Sequence, residues 1–424
     1  MNKLATDSTQ DSRAIISASL RRRHARSKNF RRMGAAAILF ASAMLIWLLL
    51  SIIPSGISGF MRHEVRIESL ATDRARALTS EGEINMTRLL HLGLDRTLEQ
   101  VGVNGSALTP RARYVLLGDF AGFAVQDAWK ISEKNAVGVQ VFVPLADVAD
   151  HYLKYPSNSS SALSAAQHNL LDTLKEQGAI RRTINPDFFT RGDSRAPESA
   201  GFLGSVIGSL LLVFVAIAVA LPISVMAAIY LEEFAKKNLV SDMIEVSIAN
   251  LAAVPSIIFG LLGLTLYLIW WDMPRSSALV GGLTLALMVL PTLIIATRAA
   301  LKAVPQSVRL AAIALGATPL QVVKHHVLPY ATSGIMTGTI LSVARVLGET
   351  APLLMIGMVA FVADIPRGLT DPATSMPVTI YLWASSPESG FVEKTASGIL
   401  ILLVILMALN TVAIRIRNKF ELRW

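Results

Sequence analysis

The chain has 424 residues, of which 53% are hydrophobic and only 16% charged; ordinary soluble domains carry about 25% charged residues, so the deficit points to a membrane protein. Cysteine is absent, which excludes disulfides, thiolate zinc sites and cysteine nucleophiles. The net charge of +9 sits largely beside hydrophobic segments, a distribution that sets membrane topology and argues against a nucleic-acid partner.

Residues 1–33 form a basic tail with nine Lys or Arg against two Asp, ending in "RRRHARSKNFRR" before the final Met33. A first apolar stretch covers 34–53, and a bilayer core needs about 20 helical residues to be crossed. It is similar to a signal-peptide core, but its length and the lack of a convincing small-x-small site after it favour an uncleaved anchor. Residues 54–200 return to soluble composition with both charge signs nearly balanced. A helix around 83–100, an alternating strand "VGVQVFVPL" at 137–145 and a helix over 164–177 are expected there. "YPSNSSS" (155–161) reads as a linker or exposed turn. No metal-ligand spacing or nucleophile motif occurs in this segment, which is expected to be a small α+β domain outside the membrane.

Five closely spaced apolar stretches follow, at 202–230, 244–270, 278–296, 334–362 and 397–414, making six expected crossings with the first. Pro222, Pro255, Pro291 and Pro352 interrupt them, either as ordinary kinks or as features of moving helices. Glu232 and Glu233 close the second crossing and are expected simply to face the cytosol. The tail to Met33, the loop 298–331 and the C-terminal "RIRNKFELRW" are all basic, and the loop carries Arg298, Lys302, Arg309 and Lys324 with no acid. All three belong on the cytoplasmic side, with both termini inside and 54–200 outside.

The segment "VPQSVRLAAIALGATPLQVVKHHVLPY" (304–330) is too polar to cross. It predicts a helix over 306–315, a turn with Gly316 in the left-handed region, and a second helix over 319–326 opened by Pro319. Ala311, Ala312, Ala314 and Ala317 keep the surface low enough for another protein to approach; a connector lying on the membrane fits the composition equally. His325 and His326 are adjacent and point apart on a helix, which favours a polar surface over a metal site.

Ionisable groups within apolar segments carry the chemistry. "SVARVLGETAPLLMIGMVAF" (342–361) holds Arg345 and Glu349, and either side chain costs about 2.5–3.5 kcal/mol at the bilayer centre. Four residues apart on a helix, they share a face and can pair. That pair either neutralises itself for insertion or lines a pathway. Arg298, in "PTLIIATRAAL", is either a snorkelling, topology-fixing arginine or a second pathway group. An arginine fork matches the acceptor oxygens of an oxyanion. No G-x-x-x-x-G-K-S/T occurs, so the chain has no P-loop to cradle ATP.

The 304–330 loop resembles the EAA loop of ABC-transporter permeases through Ala311, Ala312, Gly316, Leu328 and Pro329 at the family spacing. Leu310 stands where the family often has Glu, and His326 at its Ile position. "LPISVMAAIYLEEFA" (221–235), "ANLAAVPSIIFGLLG" (249–263) and "ARVLGETAPLL" (344–354) are similar to PstA-type phosphate permeases, a likeness that covers 201–424. The 54–200 insertion departs from many such chains.

The resemblance implies an all-α polytopic membrane protein, a type I ABC importer permease of six transmembrane helices with an inserted α+β periplasmic domain. The activity it implies is ATP-driven import of inorganic phosphate across the bacterial inner membrane. Expected partners are a second, PstC-like permease, a periplasmic phosphate-binding protein and cytosolic ATPase subunits. The ATPase would dock on 304–330 through Arg309, Ala311, Ala312, Gly316, Ala317, Leu328 and Pro329. The chain itself would be no enzyme and hold no metal or cofactor, ATP and Mg being bound by the ATPase. Arg298, Arg345 and Glu349 are the residues the family implicates in translocation, with Glu349 holding Arg345 and keeping phosphate from being trapped. "GSVIG" (204–208) and "GIMTG" (334–338) allow close helix contacts, either with the partner permease or as matches of a kind common by chance. Importers of sulfate, molybdate or phosphonate share the EAA loop. A membrane receptor with a periplasmic sensor domain, or a secondary transporter, are the readings from other classes.

Overall fold

A computed structural model describes residues 2–70, 73, 77, 85–102, 108–119, 121–131, 138–156, 163–358 and 361–420. Residues 1–55 make one compact unit and 56–424 another. Helix α1 (Asn2–Gly59) runs unbroken from the basic tail through the first span. Its apolar part, within Ser27–Gly59, is long enough to cross a bilayer. Side chains such as Leu39 and Trp47 stand exposed along it, as lipid-facing residues do.

In the second unit, residues 61–190 form an α+β lobe. Strand β1 (Met61–Leu70) is its centre, paired antiparallel with β2 (Gly138–Pro144) on one edge and β3 (Ile180–Ile184) on the other. Side chains alternate along a strand. Val65 and Ile67 therefore enter a core with Val143, Leu89, Leu94 and Leu171. On the other face, Glu64 stands opposite Arg181 in register and binds its guanidinium at 2.8 Å. Around the sheet lie α2 (Met86–Gln100), α3 (Pro110–Tyr114), α4 (Ala121–Ile131), α5 (Asp147–Lys154), α6 (Ala165–Glu176) and α7 (Pro186–Thr190). Helix α6 opens on a capping box in which Ser164 and Gln167 satisfy each other's backbone N–H. The expected helices and strand correspond to α2, β2 and α6. β1 and β3 were not expected, because charges interrupt them and their stability comes from distant pairing. Of the expected turn at 155–161, only Tyr155 and Pro156 are among the described residues.

The spans follow the lobe. Helix α8 (Leu203–Ile229) ends in a π-helical turn, Tyr230–Phe234. The expected crossing at 244–270 is not one helix: α9 (Leu239–Ala252) and α10 (Ser256–Gly263, extended by a π turn to Trp270) meet at 99°. Pro255 lies at the break and lacks the N–H that would continue the ladder. Helix α11 (Ala278–Lys302) runs past the expected end at 296. Then come α12 (Gln306–Ala314), α13 (Pro319–Val322), a π turn at Val323–Val327, and α14 (Leu328–Gly348). The expected span at 334–362 is corrected at both ends: the fifth crossing begins with the loop's second helix and stops at Gly348. Short α15 (Ala351–Met355) and α16 (Met376–Ala384) precede the last span, α17 (Ser389–Phe420). Among the described residues five helices are long and apolar enough to cross, and a sixth crossing results if the bent α9–α10 pair spans.

Helix α11 is the centre of the bundle, with 67% of its apolar window buried. Leu285, Val289 and Leu293 pack on Leu212, Ala216 and Ala220 of α8. Glycines let backbones approach: a Cβ on Gly282 would lie 2.5 Å from Val215, and Cβ atoms on Gly334 and Gly338 would lie 2.5 and 2.6 Å from Ala300 and Ala296. The 334–338 pattern thus serves α14–α11 packing inside this chain. Gly208 likewise meets the Thr374 carbonyl of its own chain.

A buried ionic cluster fastens the lobe to α17. Lys154 Nζ donates to Glu393 Oε2 at 2.7 Å, Asp150 Oδ2 at 2.8 Å, and the carbonyls of Met61 and Ser58 at 2.9 and 3.1 Å. Asp150 also accepts from the His63 backbone N–H at 2.7 Å. Ser389 donates to Asp147 at 3.0 Å. The ammonium of Lys394, on α17, lies 4.7 Å from the Phe188 ring. The lobe is a fixed extension of the last span, not a tethered ball.

Candidate functional site

The 304–330 loop is built by turn chemistry. Gly316 has φ +84, which a glycine adopts without cost, and it ends α12 as Gly316 N–H donates to Ile313 and Ala317 N–H to Ala312. Thr318 and Gln321 form a capping box that starts α13, with Pro319 in the first turn. Ala311, Gly316 and Pro329 are exposed, and Ala317 and Leu328 half-buried. Ala312 faces inward against a cluster with Leu301, Val322 and Val327. The outward apolar groups are Leu310, Ile313, Leu315 and Leu320, exposed by 64, 56, 87 and 66%. In sequence nothing separates them from the loop's inward apolar residues such as Val322 and Val327.

Arg309 does not present a free guanidinium. Its Nη2 and Nε bind Glu233 at 2.7 and 3.2 Å, and its Nη1 and Nη2 donate to the carbonyls of Val304 and Leu301 at 2.7 and 3.0 Å. One side chain thereby closes the end of α11, braces α12 and grips the π turn after α8. The neighbouring Glu232 lies 3.5 Å from Arg298 and 3.8 Å from Lys302. Arg298 binds Glu245 of α9 at 2.9 Å. Glu232 and Glu233, expected merely to face the cytosol, are partners of two predicted site arginines, with side chains only 19 and 12% exposed.

Arg345 lies in the last turn of α14 and is exposed. The expected Arg345–Glu349 pair is not formed: Glu349 leaves the helix with φ −84 and ψ 131, and neither side chain has an ionic partner among the described residues. The cause is Pro352, which cannot donate to the Gly348 carbonyl and whose ring would clash with it. Ala296 lies beside Gly338, so Arg298 and Arg345 are about 13 Å apart along the helix axes at the α-helical rise. The two arginines therefore lie at different depths along the helices, not side by side. Arg298 Nε, Thr297 Oγ1 and Ser342 Oγ are buried without a hydrogen-bond partner. Among the described residues, no cluster of metal-ligating side chains occurs.

At the lobe end of the spans a cleft of about 1280 Å³ opens between residues 190–194 and the stretch 361–367. Arg191, Arg275 and Arg367 line it together with Asp193, Asp364 and Asp371. Asp193 accepts from Trp383 Nε1 at 2.9 Å, and Asp371 from the backbone N–H groups of Arg367 and Gly368 at 2.9 and 2.8 Å. Those two carboxylates thus hold the lining in place.

Residues 199–424 match the profile of a family described as binding-protein-dependent transport system inner membrane component. Residues 17–162 match a domain of unknown function (DUF3333). The chain is 34% identical over 219 residues to the phosphate transport system permease protein PstA of Yersinia pestis, covering 51% of this chain and 73% of that protein. It is 32% identical over 241 residues to PstA of Haemophilus influenzae, covering 57% and 83%. A solved structure of the MetNI methionine ABC transporter in inward-facing form aligns at TM-score 0.39 with 14% identity, covering 52% of this chain and 94% of that chain.

Proposed function

Because this chain belongs to the binding-protein-dependent transport permeases, and among them to the PstA permeases, we propose that it forms half of the membrane pathway of an ATP-driven phosphate importer. The observation that carries this reading is the match to PstA chains over 73 and 83% of their length. The family profile, over residues 199–424, falls on the spans from α8 onward and on the 304–330 loop. The chain is a permease without a P-loop, so hydrolysis belongs to separate ATPase subunits that hold ATP and Mg. Those subunits dock on 304–330, where Leu310, Ile313, Leu315 and Leu320 offer an apolar knob. A PstC-like permease completes the pathway, a phosphate-binding protein delivers the substrate, and residues 54–200 lie in the periplasm with both termini in the cytosol.

The exposed stripe of α14 supports a pathway role for Arg345. Tyr330, Gly334, Thr337, Leu341, Arg345 and Gly348 recur at helical spacing along it, and only Leu341 is a large aliphatic group. A lipid-facing stripe would be uniformly apolar. With Glu349 released from the helix face, the Arg345 guanidinium keeps its donors for the oxygens of an arriving anion. At Arg298 the anion must compete with Glu232 and Glu245, which keeps this inner station closed. Two weak successive stations suit permeation, since a site that binds phosphate tightly would not release it.

The test is uptake by the complete transporter in proteoliposomes with internal ATP, comparing radiolabelled phosphate with sulfate and molybdate. Phosphate uptake that excess sulfate and molybdate do not compete supports the reading. Preferential sulfate or molybdate uptake would assign another oxyanion, and ATP-independent uptake would replace the mechanism altogether.

A further inference from the structure

We propose that the π-helical turn Tyr230–Phe234 is the relay between the docking loop and the pathway: Glu233 positions α12 through Arg309 while the adjacent Glu232 restrains Arg298. The inference rests on the reading of 304–330 as the ATPase dock and of Arg298 as a pathway group, and it names how one controls the other.

The two clamps differ in stiffness. Glu233 holds Arg309 through two donors, at 2.7 and 3.2 Å, and the same guanidinium is fixed by two carbonyls. Both side chains are nearly buried, at 14 and 12% exposure. Such a fork has little slack, so a displacement of α12 must be passed to the turn. Glu232 is one peptide bond away and touches Arg298 only at 3.5 Å, beyond a good charge-assisted hydrogen bond. A small movement therefore makes or breaks that contact. Arg298 Nε is buried and has no acceptor at all. The arginine keeps an unused donor in the arrangement seen, as a group that must take up another acceptor would.

The turn itself is suited to two arrangements. It carries an extra residue in the helix, closed by Ala235 N–H donating to the Tyr230 carbonyl at 2.8 Å, and the chain becomes extended immediately after, at Ala235. π turns are strained insertions that recur at functional positions. When the ATPase moves α12, Arg309 pulls Glu233, the turn shifts, and Glu232 leaves Arg298, so that an anion oxygen competes there with Glu245 alone. On return the carboxylate reclaims the arginine and the anion is displaced toward the cytosol. Packed elements switch between discrete arrangements, and the turn is where two of them meet.

The experiment uses the full transporter in proteoliposomes, with phosphate uptake and ATP hydrolysis measured in parallel. Glu233→Gln is expected to lower the phosphate moved per ATP about tenfold, the scale of one charge-assisted contact, while hydrolysis continues. An unchanged ratio overturns the relay, because a merely structural residue lowers both rates together. Glu232→Gln, which leaves the Arg309 pin intact, is expected to lower the KM for phosphate; an unchanged or raised KM overturns the Arg298 half. Should Glu233→Gln fail to assemble, Glu233→Asp, which keeps the charge and shortens the reach to Arg309, replaces it. A lowered ratio of phosphate moved per ATP supports the relay, and an unchanged ratio overturns it. Failure of the underlying reading is seen separately, as a wild-type complex that neither takes up phosphate nor hydrolyses ATP.

Discussion

Replacing Lys154 by methionine keeps the length and apolar stem of the side chain and deletes one buried charge. The ammonium is 5% exposed and binds Glu393, Asp150 and two carbonyls. Asp150 would keep the His63 N–H at 2.7 Å, but Glu393 would keep only Ser58 Oγ at 3.1 Å. Removing one partner of a buried pair costs about 3–5 kcal/mol, and the surviving contacts of Asp150 place this substitution near the lower end. Hydrogen exchange is the suitable assay because the effect is local: about 3 kcal/mol corresponds to roughly a hundredfold faster exchange in the last turn of α5 and the first turn of α17. The double variant Lys154→Met/Glu393→Gln leaves no uncompensated charge on Glu393 and is expected to recover most of that loss. Burial opposes ionisation of Asp150, yet the His63 hydrogen bond and Lys154 outweigh it and lower its pKa below the ordinary 3.8. Burial also opposes the charge of Lys154, but Asp150 and Glu393 raise its pKa above 10.5. The stabilisation from Asp150 is therefore lost only as acid reaches its lowered value, and that from Lys154 only as alkali passes its raised one. Wild-type protection should be flat through neutral pH. Exchange in Lys154→Met within about threefold of wild type would refute the view that this cluster holds the lobe in place.

Other substitutions test further features. Burial raises the pKa of Glu198, whose Oε1 accepts from the Asp119 N–H at 3.2 Å. Its ionised form therefore destabilises the fold above its ordinary range. Glu198→Gln keeps the acceptor and should raise the melting temperature near about pH 8 but not near about pH 3, where both states are protonated. At Gly316 no neighbouring atom would meet a Cβ, so only the φ of +84 opposes substitution. Gly316→Val should cost about 1–2 kcal/mol and Gly316→Asn less, read as protease sensitivity of the 304–330 loop. A Cβ on Gly208 would strike the Thr374 carbonyl, a backbone atom that cannot swing aside. Gly208→Ala should cost about 1–3 kcal/mol or more and lower the amount of folded protein recovered from membranes.

Length and apolar content located the spans, but not what each proline does. Pro222 and Pro291 remain inside α8 and α11, where neighbours pack on both helices and Ser224 donates to the Leu290 carbonyl at 3.2 Å. Pro255 breaks its segment, and α9 beside it has no buried residue to hold it straight. The difference is tertiary, so no local pattern reveals it. Pro352, by contrast, did carry the answer for Glu349. Its missing N–H ends α14 at Gly348, and a four-residue spacing read across that end has no helix to act on. The loop was legible because Gly316, Thr318 and Pro319 act on their own neighbours. Glu233 and Arg309 are 76 residues apart, and nothing in either stretch names the other. The same holds for β1, whose strand partners lie far along the chain and whose Val65 and Ile67 stand among charges.

The most direct measurement of the central claim is phosphate uptake by cells or proteoliposomes carrying Arg345→Gln, with subunit assembly verified in the same preparation. Glutamine keeps a hydrogen-bonding side chain and removes the charge that attracts the anion. Uptake is predicted to fall at least about tenfold, the scale of a lost charge-assisted contact, with the complex intact and ATP still hydrolysed. Uptake at the wild-type rate by an intact complex would contradict the assignment of Arg345 to the anion's path.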